Sequence, residues 1–169
     1  MAVRGPTIGS RLSAPVSSAS GPALRAQEAA PVYSFHCEAT FEAEPAAVWK
    51  VWTDVSRWPE WDLTKEIARI DGPFVLGASG WAKQRGTLGG SFTITAIEPG
   101  RRWVSECPVP LGKIVFDHLI ESAEPGRVRV TKNVDVLGGF GPLFRLTFGT
   151  KMRRDITESL EALGRNVRD

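Results

Sequence analysis

Apolar and polar residues alternate from residue 33 onwards in a pattern that predicts a half-buried strand. Residues with largely apolar side chains take every second position, and polar residues stand between them. Successive side chains of a strand point to opposite faces, so one set is predicted to face a core and the other to face solvent. The inward set is Tyr33, Phe35, Cys37, Ala39 and Phe41, and the outward set is Ser34, His36, Glu38 and Thr40.

The spacing changes directly after this strand and predicts two short helices. Pro45 stands where the first turn of a helix accepts proline. Pro59 interrupts the apolar run that follows, so residues 56–61 form at most one further turn. The apolar residues of the first helix recur at spacings of three and four, which predicts that they are core residues: Val48, Val51, Trp52 and Val55.

Six more strands are predicted after Asp62, each ended by residues that favour turns. They are Lys65–Ile70, Gly80–Arg85, Ser91–Ile97, Arg102–Cys107, Ile114–Ser122 and Arg127–Val136. Turns so closely spaced imply antiparallel hairpins, and the apolar face of such a sheet needs a cover. A long amphipathic helix that begins near Pro142 supplies it, with apolar residues at spacings of three and four: Phe144, Phe148, Met152, Ile156, Leu160 and Leu163. The predicted class is α+β, a curved seven-stranded antiparallel sheet around a long C-terminal helix.

Composition divides the chain of 169 residues near Pro31. Residues 1–31 are rich in Ala, Ser, Gly and Pro and show no apolar periodicity, so we expect a disordered tail before one domain at 32–169. The scarcity of acidic residues also leaves an organellar transit peptide open as the alternative. Two cysteines, Cys37 and Cys107, form no secreted disulfide framework, which favours a reducing, cytoplasmic setting.

Net charge and motifs exclude several classes of partner and cofactor. The formal net charge is +2, and Arg4, Arg11 and Arg25 against Glu28 supply that excess within the tail. The neutral remainder argues against nucleic acid or an anionic membrane surface as the main partner, and no apolar run is long enough for integral membrane contact. The glycines form no phosphate or dinucleotide loop, and the two histidines lie on different strands and faces, so neither a cofactor nor a metal site is predicted.

Two titratable residues lie among side chains predicted to face inwards. Alternation places His118 with Phe116 and Ile120, and Lys132 with Val130, Val134 and Val136. The register that opposes Ile120 to Val130 also opposes His118 to Lys132, whereas a shift by one pair would place Lys132 opposite Phe116. Lys132 then reaches the mouth of a cavity beside the sheet, pairs with a carboxylate, for which Asp62 and Glu106 are the candidates, or binds a ligand. The alternative is an exposed lysine near a strand end. His118 is either a core histidine or a catalytic one.

The order of elements, together with several short motifs, resembles the polyketide cyclase/dehydrase branch of the START-like (SRPBCC, helix-grip) superfamily. The motifs are VWKVWTDVSRWPEWD, IDGPFVLGASGW, ITAIEPGRRWV, FDHLIE and VTKNVDVLGGFGPLF, and the likeness spans Tyr33 to about Gly164. The resemblance implies an apolar cavity between the sheet and the last helix. Trp58 and Trp61 would lie beside its mouth, where they either rim the cavity or plug the end of the sheet. The candidate ligand-binding residues are Trp58, Trp61, Trp103, Phe116, Ile120, Val130, Val134, Phe144 and Phe148.

Two functions follow from this resemblance. The first is a binding module for a small hydrophobic molecule, lipid-like or polyketide-like, which apolar lining with few polar anchors is sufficient to hold. The second is a cofactor-free polyketide cyclase/dehydrase, in which His118 and Lys132 would be the catalytic groups that move protons.

Overall fold

Seven strands and four helices follow one another in the computed structural model, which describes residues 30–167. The strands are β1 (Tyr33–Glu42), β2 (Lys65–Ile70), β3 (Ser79–Gln84), β4 (Gly90–Glu98), β5 (Arg102–Val109), β6 (Gly112–Glu124) and β7 (Arg127–Gly138). The helices are α1 (Pro45–Thr53), α2 (Trp58–Trp61), α3 (Gly141–Thr147) and α4 (Gly149–Asn166), with a 3₁₀ turn at Val55–Arg57 before α2. The predicted strands all appear, with bounds that differ by a few residues at most.

The strands form one antiparallel sheet in the order β1-β7-β6-β5-β4-β3-β2. Strands β2 to β7 pair with their neighbours in sequence, as short connections favour. Strand β1 instead adds beside β7, with Tyr33 opposite Val136. The sheet curls into a half-barrel, and the C-terminal helices lie against its concave face.

The core lies between this concave face and α4, and α1 closes one end of it. The apolar positions of α4 and α1 that periodicity predicts as core are buried, including Leu160, Leu163, Val48 and Trp52. Alternation in β1 is confirmed, since Phe35, Cys37 and Phe41 are buried and their polar neighbours are exposed. Burial of this kind stabilises the fold by roughly 25 cal/mol per Å² of apolar surface.

The single long C-terminal helix predicted from the sequence is wrong in one respect, because the helix is interrupted at Phe148. Phe148 has a φ of −117°, outside the helical range, although its N–H still donates to the Phe144 carbonyl at 2.8 Å. The interruption falls beside Gly149, where a Cβ atom would lie 3.0 Å from the Tyr33 hydroxyl oxygen. The start of α4 therefore contacts β1 directly, at a residue that has no side chain to prevent the contact.

Two further predictions concern the tail and membrane contact. Residues 1–29, which hold nearly all of the predicted tail and its transit-peptide alternative, are outside the part of the chain that the structure describes. Within residues 30–167, no helix combines the length and apolar character that crossing a membrane requires.

Candidate ligand-binding cavity

A cavity of about 340 Å³ lies between the concave face of the sheet and the helices α2, α3 and α4. Apolar side chains supply most of its wall. They are Trp58, Ala82, Phe92, Trp103, Val109, Ile114, Phe116, Phe140, Phe144, Phe148, Met152 and Ile156. The volume and the lining are those of a site for a small organic molecule.

The cavity opens at one end of the sheet and is closed at the other. Its exposed lining residues mark the mouth: Thr87, Gly90 and Ser91 at the β3–β4 turn, and Phe148 and Lys151 at the junction of α3 and α4. Its buried lining residues, among them Trp58, Trp103, His118 and Ser159, form the floor. The region beyond the floor is filled by α1.

Stacked aromatic rings make the floor. The His118 imidazole lies parallel to the Trp103 indole, with ring centroids 3.5 Å apart and an interplanar angle of 6°. Trp52 of α1 meets the same imidazole edge-on at 5.2 Å, and Trp58 stacks on Trp103 at 6.1 Å. The Trp58 Nε1 also donates a hydrogen bond to the Trp52 carbonyl at 2.9 Å, which fixes α2 against α1. Rings held on both sides in this way are ordered before any ligand arrives.

His118 is a neutral, buried histidine. Burial, and then the positive charge of Lys132, lowers the pKa of His118 well below its ordinary value of 6.5. Its Nδ1 atom has no hydrogen-bond partner within residues 30–167, and neither has Nε1 of the neighbouring Trp103. Buried polar atoms without partners are uncommon in proteins, and both of these atoms are enclosed within the protein.

Lys132 faces His118 across the β6–β7 pair, with Ile120 opposite Val130. The first of the two registers predicted from the sequence is thereby confirmed. The lysine is half-buried and lines the cavity, with Nζ 5.9 Å from the centroid of the Phe116 ring. Burial, and then the positive charge of Lys65, lowers the pKa of Lys132 to about 8, while Asp62 opposes the shift. In the part of the chain that the structure describes, this ammonium makes no hydrogen bond and no ion pair.

The nearby carboxylate of Asp62 forms its hydrogen bonds and its ion pair with groups other than Lys132. It is 2 % exposed and accepts hydrogen bonds from Ser159 Oγ at 2.7 Å, Thr64 Oγ1 at 2.6 Å and Thr64 N at 3.0 Å. Lys65 Nζ lies 3.5 Å from its Oδ2 atom. Burial alone would raise the pKa of Asp62, but Lys65, these hydrogen bonds and Lys132 together hold it below its ordinary value. Asp62 is therefore ionised, and its nearest cation is Lys65.

The charges around the cavity leave one positive charge in excess. Lys65, Lys132 and Lys151 line it, and the carboxylates are Asp155, which bonds Lys151, and Asp62 behind the wall. The second carboxylate considered from the sequence, Glu106, instead pairs with Lys113 at 3.0 Å. Burial raises the pKa of the Cys107 thiol to about 11, so Cys107 adds no charge.

Seven of the residues predicted from the sequence line the cavity, and four do not. Lining residues are Trp58, Trp103, Phe116, His118, Lys132, Phe144 and Phe148. Trp61, Ile120, Val130 and Val134 lie in the core instead. Ile120 and Val130 form the next inward pair beyond His118 and Lys132, at the end that α1 fills, and Val134 lies beside Phe35 under α4. The sequence gives Trp58 and Trp61 the same signal, but in the structure Trp58 lines the cavity and Trp61 is buried in the core.

Sequence reasoning missed Lys65, Asp155 and Ser159. All three stand on elements that the sequence predicts, but their direction was not predicted. A signal was present in α4, where Asp155 and Ser159 are four residues apart beside the apolar Ile156 and Leu160. Polar residues at that spacing share one helix face, and next to the buried stripe they face the cavity edge. No group of His, Cys, Asp and Glu suited to a metal ion occurs within the described range, 30–167.

A curled seven-stranded sheet that grips a C-terminal helix across an apolar cavity defines a helix-grip protein. Residues 34–168 match the model of the family described as polyketide cyclase / dehydrase and lipid transport, and the chain belongs to that family. No curated protein matches the sequence.

Solved structures support the fold. The chain resembles Ara h 8.0201 with a TM-score of 0.64 at 18 % identity, covering 80 % of this chain and 97 % of that one. It resembles norcoclaurine synthase from Thalictrum flavum with a TM-score of 0.65 at 11 % identity, covering 81 % and 87 %. It resembles the Zhui aromatase/cyclase from Streptomyces sp. R1128 with a TM-score of 0.66 at 14 % identity, covering 80 % and 93 %. Likenesses at such low identity establish the architecture, and the chemistry has to be argued from the cavity.

Proposed function

We propose that the protein binds a small, mainly apolar molecule, lipid-like or polyketide-like, in this cavity, with one oxygen atom of the ligand at Lys132. The observation that carries the proposal is a half-buried ammonium without an ion pair in the wall of a mainly apolar cavity. A desolvated charge of this kind is costly unless something compensates it. A carbonyl or carboxylate oxygen of the ligand would do so.

The rest of the lining fits this mode of binding. Aromatic and aliphatic side chains supply contact area around Lys132. The excess positive charge favours a ligand group that carries negative charge or a strong dipole. A few polar anchors in an apolar wall are sufficient to orient a ligand, while the wall supplies most of the affinity.

Binding can be measured through tryptophan fluorescence, because Trp58 and Trp103 line the cavity. We expect the protein to bind an aromatic carboxylate about tenfold more tightly than its hydrocarbon analogue, the difference expected for one hydrogen bond to a charged group. Lys132→Met should abolish that preference and leave the affinity for the hydrocarbon within a few fold. Titration calorimetry provides an independent measure of the same affinities.

A matched control for Lys132→Met is Lys83→Met. Lys83 lies on the same sheet and pairs with Glu66 at 2.9 Å, but it does not line the cavity. The Lys83→Met substitution should leave the affinities for the carboxylate and for the hydrocarbon unchanged. Absence of binding in the unaltered protein across a panel of apolar carboxylates, ketones and hydrocarbons of suitable volume would contradict the proposal.

A second candidate function is a cofactor-free cyclase or dehydrase in the same cavity. One observation favours it: a neutral imidazole and an ammonium with a pKa of about 8 face each other across β6 and β7. Near neutral pH such a pair can accept and donate protons to a bound poly-β-ketone. His118→Gln and Lys132→Met should then leave binding largely intact but reduce turnover of a linear poly-β-ketone mimic by about a hundredfold or more. Mass spectrometry of the products tests this, and an unaltered protein that binds the mimic without converting it would leave only the binding function.

A further inference from the structure

The exposed large apolar side chains are concentrated at one end of the molecule. Of the ten in the range 30–167, seven lie where the cavity opens: Val32, Leu63, Leu88, Leu111, Leu143, Leu146 and Phe148. Leu88 is 97 % exposed, Leu146 84 % and Leu111 83 %. Single exposed apolar residues need no explanation, whereas a group on one surface marks an interaction site.

The strand register shows that these residues share one edge. Gly138 at the end of β7 lies opposite Gly112 at the start of β6, and Gly112 also lies opposite Val109 at the end of β5. Gly139 N donates to the Leu111 carbonyl at 2.9 Å, so the β5–β6 turn adjoins the start of α3. On the other side of the mouth, Arg85 Nε donates to the Leu63 carbonyl at 2.8 Å, so Leu63 adjoins the β3–β4 turn that carries Leu88. We call the five residues Leu63, Leu88, Leu111, Leu143 and Leu146 the leucine edge.

The same edge is basic. Segments 85–91, 109–113 and 138–154 contain Arg85, Lys113, Arg145, Lys151, Arg153 and Arg154. Lys113 pairs with Glu106, and Lys151 and Arg154 lie beside Asp155, so within residues 30–167 the members of this group without a carboxylate partner are Arg85, Arg145 and Arg153. Near the turns of the opposite edge lie Asp71, Glu98 and Glu124, of which Glu98 pairs with Arg101 and Glu124 with Arg127. The positive charge of a domain that is close to neutral in sum is thus more concentrated at the mouth than at the opposite edge.

One residue of the leucine edge is held outwards at a cost. Leu111 has a φ of 63°, a left-handed conformation that a bulky side chain rarely adopts. Together with Pro110 it closes the two-residue turn between β5 and β6. A glycine would relieve the strain, so the leucine at this position costs backbone energy and also leaves an apolar side chain in solvent.

We propose that the leucine edge is a docking surface for a lipid bilayer that contains anionic lipids. Leucine side chains enter the boundary between headgroups and acyl chains, and arginine and lysine residues beside them meet anionic headgroups. The five leucines come from four separate segments with cations between them, which suits a fluid surface better than one partner helix or strand. If the proposed function holds, a docked mouth lets an apolar ligand pass between cavity and bilayer without crossing water.

Flotation of the full chain with vesicles tests this docking. We expect binding to phosphatidylcholine vesicles that contain about 30 % phosphatidylserine, and much weaker binding to phosphatidylcholine alone. The triple variant Leu88→Ser/Leu143→Ser/Leu146→Ser should reduce the bound fraction about tenfold, because three membrane-facing side chains become polar. Arg145→Gln should weaken binding to the anionic vesicles and leave binding to neutral ones unchanged.

The matched control is Val75→Ser/Leu76→Ser, which removes two exposed apolar side chains between β2 and β3 at the opposite end. It should change vesicle binding less than twofold. Equal losses in the triple variant and this control overturn the proposal, and so does the absence of vesicle binding in the unaltered chain. A dimer in sedimentation experiments that the triple variant dissociates also overturns it, because the leucine edge is then an interface between two copies.

The docking proposal and the proposed ligand-binding function can be tested independently. None of the three substituted leucines lines the cavity, so the triple variant should keep its affinity for a water-soluble aromatic carboxylate. Loss of vesicle binding with that affinity retained supports docking. Vesicle binding that depends on the leucine edge in a protein that binds no small molecule supports docking and contradicts the proposed function.

Discussion

Asp62 shows how a single buried residue connects three elements. It follows α2, accepts a hydrogen bond from Thr64 just before β2, and accepts another from Ser159 of α4, 97 residues further along the chain. An ionised carboxylate is tolerated in the interior only when hydrogen bonds and a cation replace its lost hydration. Both are present here, so Asp62 holds α4 against the start of the sheet, next to the cavity floor.

Ser159→Ala should destabilise the protein at neutral pH by about 1–3 kcal/mol, because a buried carboxylate loses one of its donors. The folded pKa of Asp62 is depressed, so its stabilisation is complete above the ordinary value of 3.8 and is lost as the pH falls through the folded pKa. The difference in free energy of unfolding between variant and unaltered protein should therefore shrink in acid. Urea denaturation at several pH values measures it.

Ser34→Ala is the matched control for that substitution. Ser34 also donates to an aspartate, Asp135, at 2.7 Å, but on the exposed face of the sheet. Its loss should change the free energy of unfolding by no more than about 0.5 kcal/mol. Equal effects of the two serine substitutions would contradict the role given to Asp62.

The packing of α4 on β1 depends on positions without side chains. Gly149 accommodates the Tyr33 hydroxyl, and a Cβ atom at Gly164 would lie 2.7 Å from Cδ1 of Phe41. Helix and strand approach closely at both glycines, near the two ends of α4. The two close approaches hold α4 against β1 along its whole length, and the cavity forms on the other side of the helix, towards strands β3 to β7.

Gly164→Ala should destabilise the protein by about 1–2 kcal/mol, because the overpacking cost against a buried ring exceeds the gain in helix propensity. Gly90→Ala is the control, since a Cβ atom there meets nothing within 4 Å. Thermal and urea denaturation compare the two variants. A Gly164→Ala protein more stable than the unaltered one would show that the helix is free to move away from Phe41.

At the scale of the whole molecule, one end of the half-barrel is closed and the other is open. Trp52 and its neighbours on α1 close the first, while the mouth at the second is bordered by exposed leucines and basic residues. Solvent, ligand and any docked surface therefore reach the floor from one side. The proposed ligand entry and the proposed vesicle docking would both take place at the mouth, on one path to the Lys132 ammonium.

Much of the fold could be predicted because its signals are local. Alternation in β1 depends on backbone geometry alone, and so does the three-to-four spacing in α1 and α4. The His118–Lys132 pairing was predictable because the β6–β7 connection is short and only a few registers keep both apolar faces inwards. A local pattern says which face of an element turns inwards but not which inward residues border the cavity, and seven of the eleven candidate site residues do border it.

The site itself was decided by contacts between elements far apart in the sequence. Trp58 and Trp61 have the same local signal, yet only Trp58 lines the cavity, because α2 is fixed to α1 by the hydrogen bond to Trp52. Ile120 and Phe116 share one face of β6, and the α1 end of the sheet buries the first while leaving the second beside the cavity. Lys132 lacks a counter-ion because Asp62 is held by Ser159 and Lys65. Which groups are left unpaired depends on three-dimensional distances, and periodicity along a chain contains no information about those distances.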